Sequence, residues 1–229
     1  MFGNHLLEDT ALRKGLAFAA AMLLVTAEAS AQVCSGGLGR DAGVFQLGGS
    51  YSSTKGSSTL LGVATGIGER AFGSAGVGTI SYDDFSGSTT ALGGVVGYQV
   101  PVGNGGRAQL CPSAELTLGF GPKDIEGSGV DASSNSLGLG LSVGYAVPSS
   151  SQVSVIPFAS AGFARTSFKL SYEGESESAS DSYGLIGFGV GLVINKQLAI
   201  RPSVSIPVGL EDSDPIVGIG VVLALGQKK

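Results

Sequence analysis

In residues 135–147 (NSLGLGLSVGYAV), Leu137, Leu139, Leu141, Val143, Tyr145 and Val147 alternate with Ser136, Gly138, Gly140, Ser142, Gly144 and Ala146. A repeat of two is the period of an extended strand, whose successive side chains point to opposite faces. The segment is therefore a strand with one bulky apolar face and one face of small residues. The pattern recurs. In 89–100, Leu92, Val96, Tyr98 and Val100 oppose Ala91, Gly93, Gly97 and Gln99. In 182–194, Ile186, Phe188, Val190, Leu192 and Ile194 oppose Gly187, Gly189 and Gly191, and in 216–226 Val217, Ile219, Val221, Leu223 and Leu225 oppose Gly218, Gly220 and Ala224. A soluble two-sheet sandwich alternates too, but it turns the bulky face inward and needs a polar, charged outer face. Here the second face is Gly, Ala and Ser, drawn from a chain with 39 glycines and only 14% charged residues. Such a face suits the wet interior of a small barrel whose apolar face meets lipid.

Ten segments fit the pattern: 44–52, 59–67, 71–81, 89–100, 109–120, 133–147, 153–171, 182–194, 198–209 and 216–226. They predict an all-β fold, a closed antiparallel up-and-down transmembrane β-barrel of about ten strands. Eight strands is the alternative, if 59–81 is irregular. Connections at 68–70, 148–152 and 195–197 are short, while 82–88, 121–132 and 172–181 are longer and acidic. An even strand number puts both termini on the periplasmic side, with short turns there and long loops outside. The connection 101–108 is longer than that rule prefers.

Charge, which played no part in choosing the strands, follows the same division. Asp83, Asp84, Asp124, Glu126, Asp131, Glu173, Glu175, Glu177, Asp181, Glu211, Asp212 and Asp214 fall in the expected outer loops. Arg40, Arg70, Arg107, Lys196, Lys228 and Lys229 fall near the other rim. Aromatic residues form two expected interfacial girdles: Tyr51, Tyr82, Phe85, Phe120, Phe168, Tyr172 and Tyr183 outside, with an inward direction by parity as the alternative for Tyr183, and Phe45, Phe72, Tyr98, Tyr145 and Phe158 on the periplasmic side.

With this pattern of strands, rims and girdles, the chain from Val44 to Gly226 resembles the small outer-membrane β-barrel proteins of Gram-negative bacteria, of the opacity-protein and OmpA-like transmembrane type. The resemblance implies residence in the outer membrane, among its lipids and lipopolysaccharide. It departs from the family at its end: such barrels close on an aromatic residue, and this chain ends Leu225-Gly226-Gln227-Lys228-Lys229.

The first residues read as a signal peptide, 1–31: Arg13 and Lys14, the apolar run 15–25, then Ala29-Ser30-Ala31 for cleavage. The run is too short to span a bilayer as a helix. Residues 32–43 then form a periplasmic N-terminal segment, 44–226 the barrel and 227–229 a tail. The two cysteines, Cys34 and Cys111, are expected to form a disulfide in an oxidising compartment; two buried free thiols are the other possibility.

Chemistry is sparse. The single histidine, His5, lies in the leader, which removes histidine as a general base or metal ligand from the mature chain. The carboxylate pairs Asp83–Asp84 and Glu175–Glu177 sit in expected loops, without the burial that activates an acid. Glycine pairs such as Gly138 and Gly140 lie within strands and complete no nucleotide-binding loop. No enzyme, cofactor, metal site or nucleic-acid partner is expected. Parity places Glu115, Arg165, Lys169, Arg201, Gln99 and Gln109 on the lumen face, with the bulk of Phe163 as well. Glu115 and Arg201, at similar depth, are a candidate ion pair across the lumen. The expected role is structural or surface-interacting, with acidic loops able to hold Ca²⁺ or Mg²⁺. The alternative is a narrow, cation-preferring passive channel; a soluble periplasmic barrel binding an apolar ligand would need the two faces reversed.

Overall fold

The computed structural model describes residues 33–38, 45–54, 56–82, 85–103, 107–121, 130–148, 152–172, 175–210 and 213–225. After a short 3-10 turn at Val33–Ser35, the described residues hold strands and their connections and no α-helix. The strands are β1 (Phe45–Thr54), β2 (Gly56–Ile67), β3 (Ala71–Tyr82), β4 (Phe85–Tyr98), β5 (Val100–Val102) and β6 (Ala108–Phe120). They continue with β7 (Val130–Tyr145), β8 (Val153–Tyr172), β9 (Glu175–Ile194), β10 (Leu198–Val208) and β11 (Ile216–Leu225).

β4 and β5 are two parts of one barrel strand. Both pair with β6 in a single continuous register, Gly97 with Ser113 and Val100 with Leu110. The ladder lapses where Pro112, which has no N–H to donate, stands on β6. Eleven segments thus make ten staves. Each pairs antiparallel with its sequence neighbours, β1 pairs with β11, and the β4–β6 pairing completes the ring. Closure leaves the wall no free sheet edge, the condition hydrocarbon imposes on a spanning sheet. β2 and β3 hold an unbroken register from Gly56–Tyr82 to Ile67–Ala71, so the count is ten and not eight. At one turn, Asn195 and Lys196 take φ of 52° and 58° and Gln197 N–H donates to the Ile194 carbonyl at 3.0 Å. Two positive φ values define the hairpin turn whose twist matches its strands.

β1 begins and β11 ends at the same rim, here the near rim; the far rim carries the β8–β9 hairpin. Around the ring the bulky face points away from the lumen: Leu139 is 64% exposed, and Val63, Val96, Phe188 and Val217 are exposed likewise. The interior face carries polar residues, with Gln46, Ser50, Thr117, Ser136, Thr166, Arg201 and Ser205 all buried, beside inward apolar residues such as Phe72, Val95, Ile156 and Val222.

Two expectations fail at the far rim, for one reason. Residues 175–181, expected in a loop, belong to a strand. β8 and β9 each run 20 residues and stay paired out to Tyr172–Glu175. β7 joins them as far as Val130–Tyr172, so three strands project beyond the rest of the wall. Arg165, Lys169 and Phe163 consequently face outward, not into the lumen: Phe163 is 56% exposed, Arg165 and Lys169 are exposed, and Thr166 beside them is buried inside. On β8 the outward bulky residues Val153, Val155 and Phe163 have odd numbers, whereas above Phe163 the bulky residues are the even-numbered Phe168, Leu170 and Tyr172. The strand's geometry is constant; its surroundings change. Below Phe163 the outward face meets an apolar medium, and above it the outward face is Arg165, Ser167, Lys169 and Ser171 while Phe168 and Leu170 turn inward and are half-buried. A parity set by the bulky residues of the upper part, Phe168, Leu170 and Tyr172, assigns Arg165, Lys169 and Phe163 to the wrong side.

Candidate functional site

What occupies the ring is the segment ahead of β1. The described residues 33–38 lie inside the wall at the near rim, within the span 32–43 that the sequence had placed in the periplasm. Cys34 is joined to Cys111 of β6, Cα to Cα 5.9 Å, and both are buried with Phe72 and Val95. Leu38, 2% exposed, packs with Ile156, Val193, Ala199 and Val222. Arg201, on β10, donates from Nη1 to the Ser35 carbonyl at 3.5 Å, its guanidinium lying against Gly220.

The wall is shaped to receive this segment. A Cβ at Gly144 on β7 would overlap the Val33 carbonyl, and one at Gly191 on β9 would overlap the Gly36 carbonyl. The plug backbone therefore touches the wall where the wall has no side chains. Gly36 itself has φ of 74° and lies against the Phe158 ring. Phe158 and Phe72, expected in the periplasmic girdle, are both lumenal: each ring covers the glycine paired with it on the next strand, Gly189 and Gly97 respectively. Phe45, Tyr98 and Tyr145 form the outward near-rim girdle that remains, and Tyr51 and Phe120 face outward towards the other side. Burying Leu38 contributes about 2 kcal/mol. The disulfide, closing a loop between residues 77 apart, contributes about 4 kcal/mol in the chain-entropy account.

Against the plug lies a cavity of about 120 Å³, lined by Cys34 and Ser35 of the plug and, among mainly apolar and glycine positions of the wall, by Ser113, Glu115, Ser160, Ser203 and Ser205. It has room for several waters. Beyond it a layer of hydroxyl groups lines the inner wall. Ser136 Oγ and Thr166 Oγ1 share a hydrogen bond, Thr166 Oγ1 lies 3.4 Å from the Tyr183 hydroxyl, and Tyr183 is 1% exposed. Ala164, Leu185 and Leu210 pack around that ring. Ser52 and Ser58 bond at 2.7 Å, and Thr89 donates to the Gly121 carbonyl at 2.8 Å. Tyr183 thus belongs to this layer and not to the outer girdle.

Glu115 and Arg201 both face inward, on β6 and β10, with β7, β8 and β9 between them on the shorter way round. Glu115 lines the cavity that Ser35 also lines, and Arg201 bonds Ser35, so the two approach the plug from different sides. Gln99 and Gln109 also turn inward, half-buried. Of the acidic outer set, Glu175, Glu177 and Asp181 are spaced along β9, and among the described residues no three acidic, Cys or His groups converge on a metal position. The leader 1–31 with His5, and Asp83, Asp84, Asp124, Glu126, Glu173, Glu211, Asp212, Arg40, Lys228 and Lys229, lie outside the described residues. The plug itself went unread in the sequence, although one signal pointed to it. Cys111 shares the lumen parity of Gln109, Ser113 and Glu115, and a disulfide from a lumenal cysteine draws Cys34 inside.

The family model described as the outer membrane protein beta-barrel domain matches residues 17–215. Among solved structures, the N-terminal β-barrel domain of Pseudomonas aeruginosa OprF aligns over 80% of this chain and 98% of its own, at 12% identity and a TM-score of 0.38. The attachment invasion locus protein Ail of Yersinia pestis aligns over 79% and 93%, at 14% identity and 0.38. The KdgM porin in complex with disordered oligogalacturonate aligns over 79% and 99%, at 11% identity and 0.42. No curated protein matches the chain.

Proposed function

The chain belongs to the outer membrane protein β-barrel family, and on that premise we propose that it is an exported, non-catalytic barrel whose role is structural or surface-interacting and whose lumen is closed to solutes. The observation that carries this reading is the plug. Residues 33–38 occupy the near end of the lumen, and the buried Ser136–Thr166–Tyr183 cluster of β7–β9 turns into it further out. A cation-preferring channel would need an unbroken wet path; here Cys34 and Ser35 of the plug line the cavity beside Glu115. In this orientation the near rim faces the periplasm and the projecting β7–β9 sheet faces outward, in keeping with short turns on one side and long hairpins on the other.

Planar-bilayer recording tests the reading. The purified barrel is expected to give no conductance steps, and a variant lacking residues 32–38 is expected to give small ones. Regular steps from the intact protein would overturn the closed-lumen reading in favour of the channel.

A further inference from the structure

Just above the apolar belt the outward face of β7–β9 changes character. Arg165 is flanked on its rung by Leu137 and Ser182, the next rung outward carries Asn135, Ser167 and Ser180, and Lys169 stands between Ser133 and Ser178. Arg165 and Lys169 are exposed, on the same face of one strand, and no acid shares either rung; Asp131 lies one same-face rung further out, opposite Ser171. Four residues along a strand set the two cations about 13 Å apart, within reach of one large headgroup.

Position sharpens the chemistry. Arg or Lys near the bilayer midplane costs about 2–4 kcal/mol, falling to about 0–1 kcal/mol at the interface. Arg165 is the first outward residue on β8 beyond Phe163, so its stem lies along the apolar edge while its guanidinium reaches the headgroup level. A planar guanidinium grips a phosphate through two parallel hydrogen bonds, and an ammonium adds a point charge. The neighbouring Ser and Asn side chains supply further donors without repelling an anion.

We propose that Arg165 and Lys169 form a binding site for the phosphate groups of the glycolipid of the outer leaflet, with the surrounding Ser and Asn side chains completing it. The site rests on the outward orientation given under the proposed function. It recruits lipid to the flank where, among the described residues, β7–β9 project beyond the rest of the wall.

The experiment titrates the folded barrel in neutral detergent with lipid A, and separately with dephosphorylated lipid A, counting bound lipid by native mass spectrometry. Lipid A is expected to remain bound while the dephosphorylated form does not. The Arg165→Gln/Lys169→Gln double variant is expected to lose roughly tenfold or more in affinity, about 1.4 kcal/mol per tenfold. Both substitutions are on an exposed face, and heat-modifiable gel migration verifies that the variant is folded. Equal retention of the two lipids, or undiminished binding by the folded double variant, would overturn the site. A Ser178→Cys variant, its new thiol beside two disulfide-bonded cysteines, reports orientation. Labelling in intact cells by a membrane-impermeant maleimide supports the outer-leaflet source. Its absence overturns that source while the barrel itself stands.

Discussion

A hydrogen atom in place of a side chain, at Gly144 and Gly191, is what admits the plug. Replacing Gly191 with Val puts carbon where the Gly36 carbonyl now sits, and the displaced atom is backbone, which has little room to yield. Overpacking of this kind costs about 1–3 kcal/mol. The Gly191→Val protein should therefore remain a barrel, melt several degrees lower, and expose residues 33–38 to protease. Gly94, which faces outward and has only the Ser74 carbonyl at 3.4 Å from an added Cβ, is the control: Gly94→Ala should change neither property. Protection of 33–38 in both variants would mean that the glycine contacts do not hold the plug. Glu115 and Arg201 invite a second test at this scale. We propose that the two charges complement one another across Ser35, Arg201 being 2% exposed and Glu115 half-buried. Reversing either alone should cost about 3 kcal/mol or more, because it strands a buried charge. The double exchange, Glu115→Arg with Arg201→Glu, should recover most of the loss in melting temperature; no recovery would separate the two residues energetically.

At the scale of strands, the alternation of large and small residues carried nearly all of the fold. Leu139 against Gly138 and Val221 against Gly220 announce strand, face and surrounding medium together, because hydrocarbon outside and a narrow wet interior inside make opposite demands on size. That reading holds only while the medium is constant. β8 leaves hydrocarbon after Phe163, its hydrophobic parity inverts, and Arg165 and Lys169 were assigned to the wrong face for that reason. Phe72 and Phe158 were misread differently: aromatic residues near a rim fit a girdle, but these two have glycine partners, Gly97 and Gly189, over which a ring can lie inward. The plug was harder still, since six residues without period give no strand or helix signal. The inversion on β8 also carries a prediction. The rungs beyond Ser167–Ser180, whose hydroxyls bond at 2.9 Å, add polar ladder and a small inward apolar patch but no part of the apolar belt. Deleting 168–179 and closing the hairpin with Asn-Gly should leave heat-modifiable migration intact and move the melting temperature by only a few degrees. Loss of the folded band would show that the projection helps to close the ring.

For the whole molecule, wall and plug are separable in their energetics. The ring is closed by backbone ladders from β1–β11 round to β4–β6, none of which involves residues 33–38. The plug is held by the disulfide, by Leu38 and by the Arg201–Ser35 bond. Reducing Cys34–Cys111 removes the first restraint and leaves the other two, so the barrel should keep its heat-modifiable migration. The plug is then retained mainly by the burial of Leu38, worth about 2 kcal/mol, which corresponds to an undocked population of roughly a few per cent, since 1.4 kcal/mol is a factor of ten. Recordings of the Cys34→Ser/Cys111→Ser protein should accordingly show rare, brief openings, and the variant lacking residues 32–38 much longer ones. Adding Leu38→Ala to the double serine variant should lengthen the open time towards that of the deletion. Equal silence from all three would place the barrier at Tyr183 instead of the plug, and Tyr183→Ala on the deletion background would then be the variant that opens the lumen.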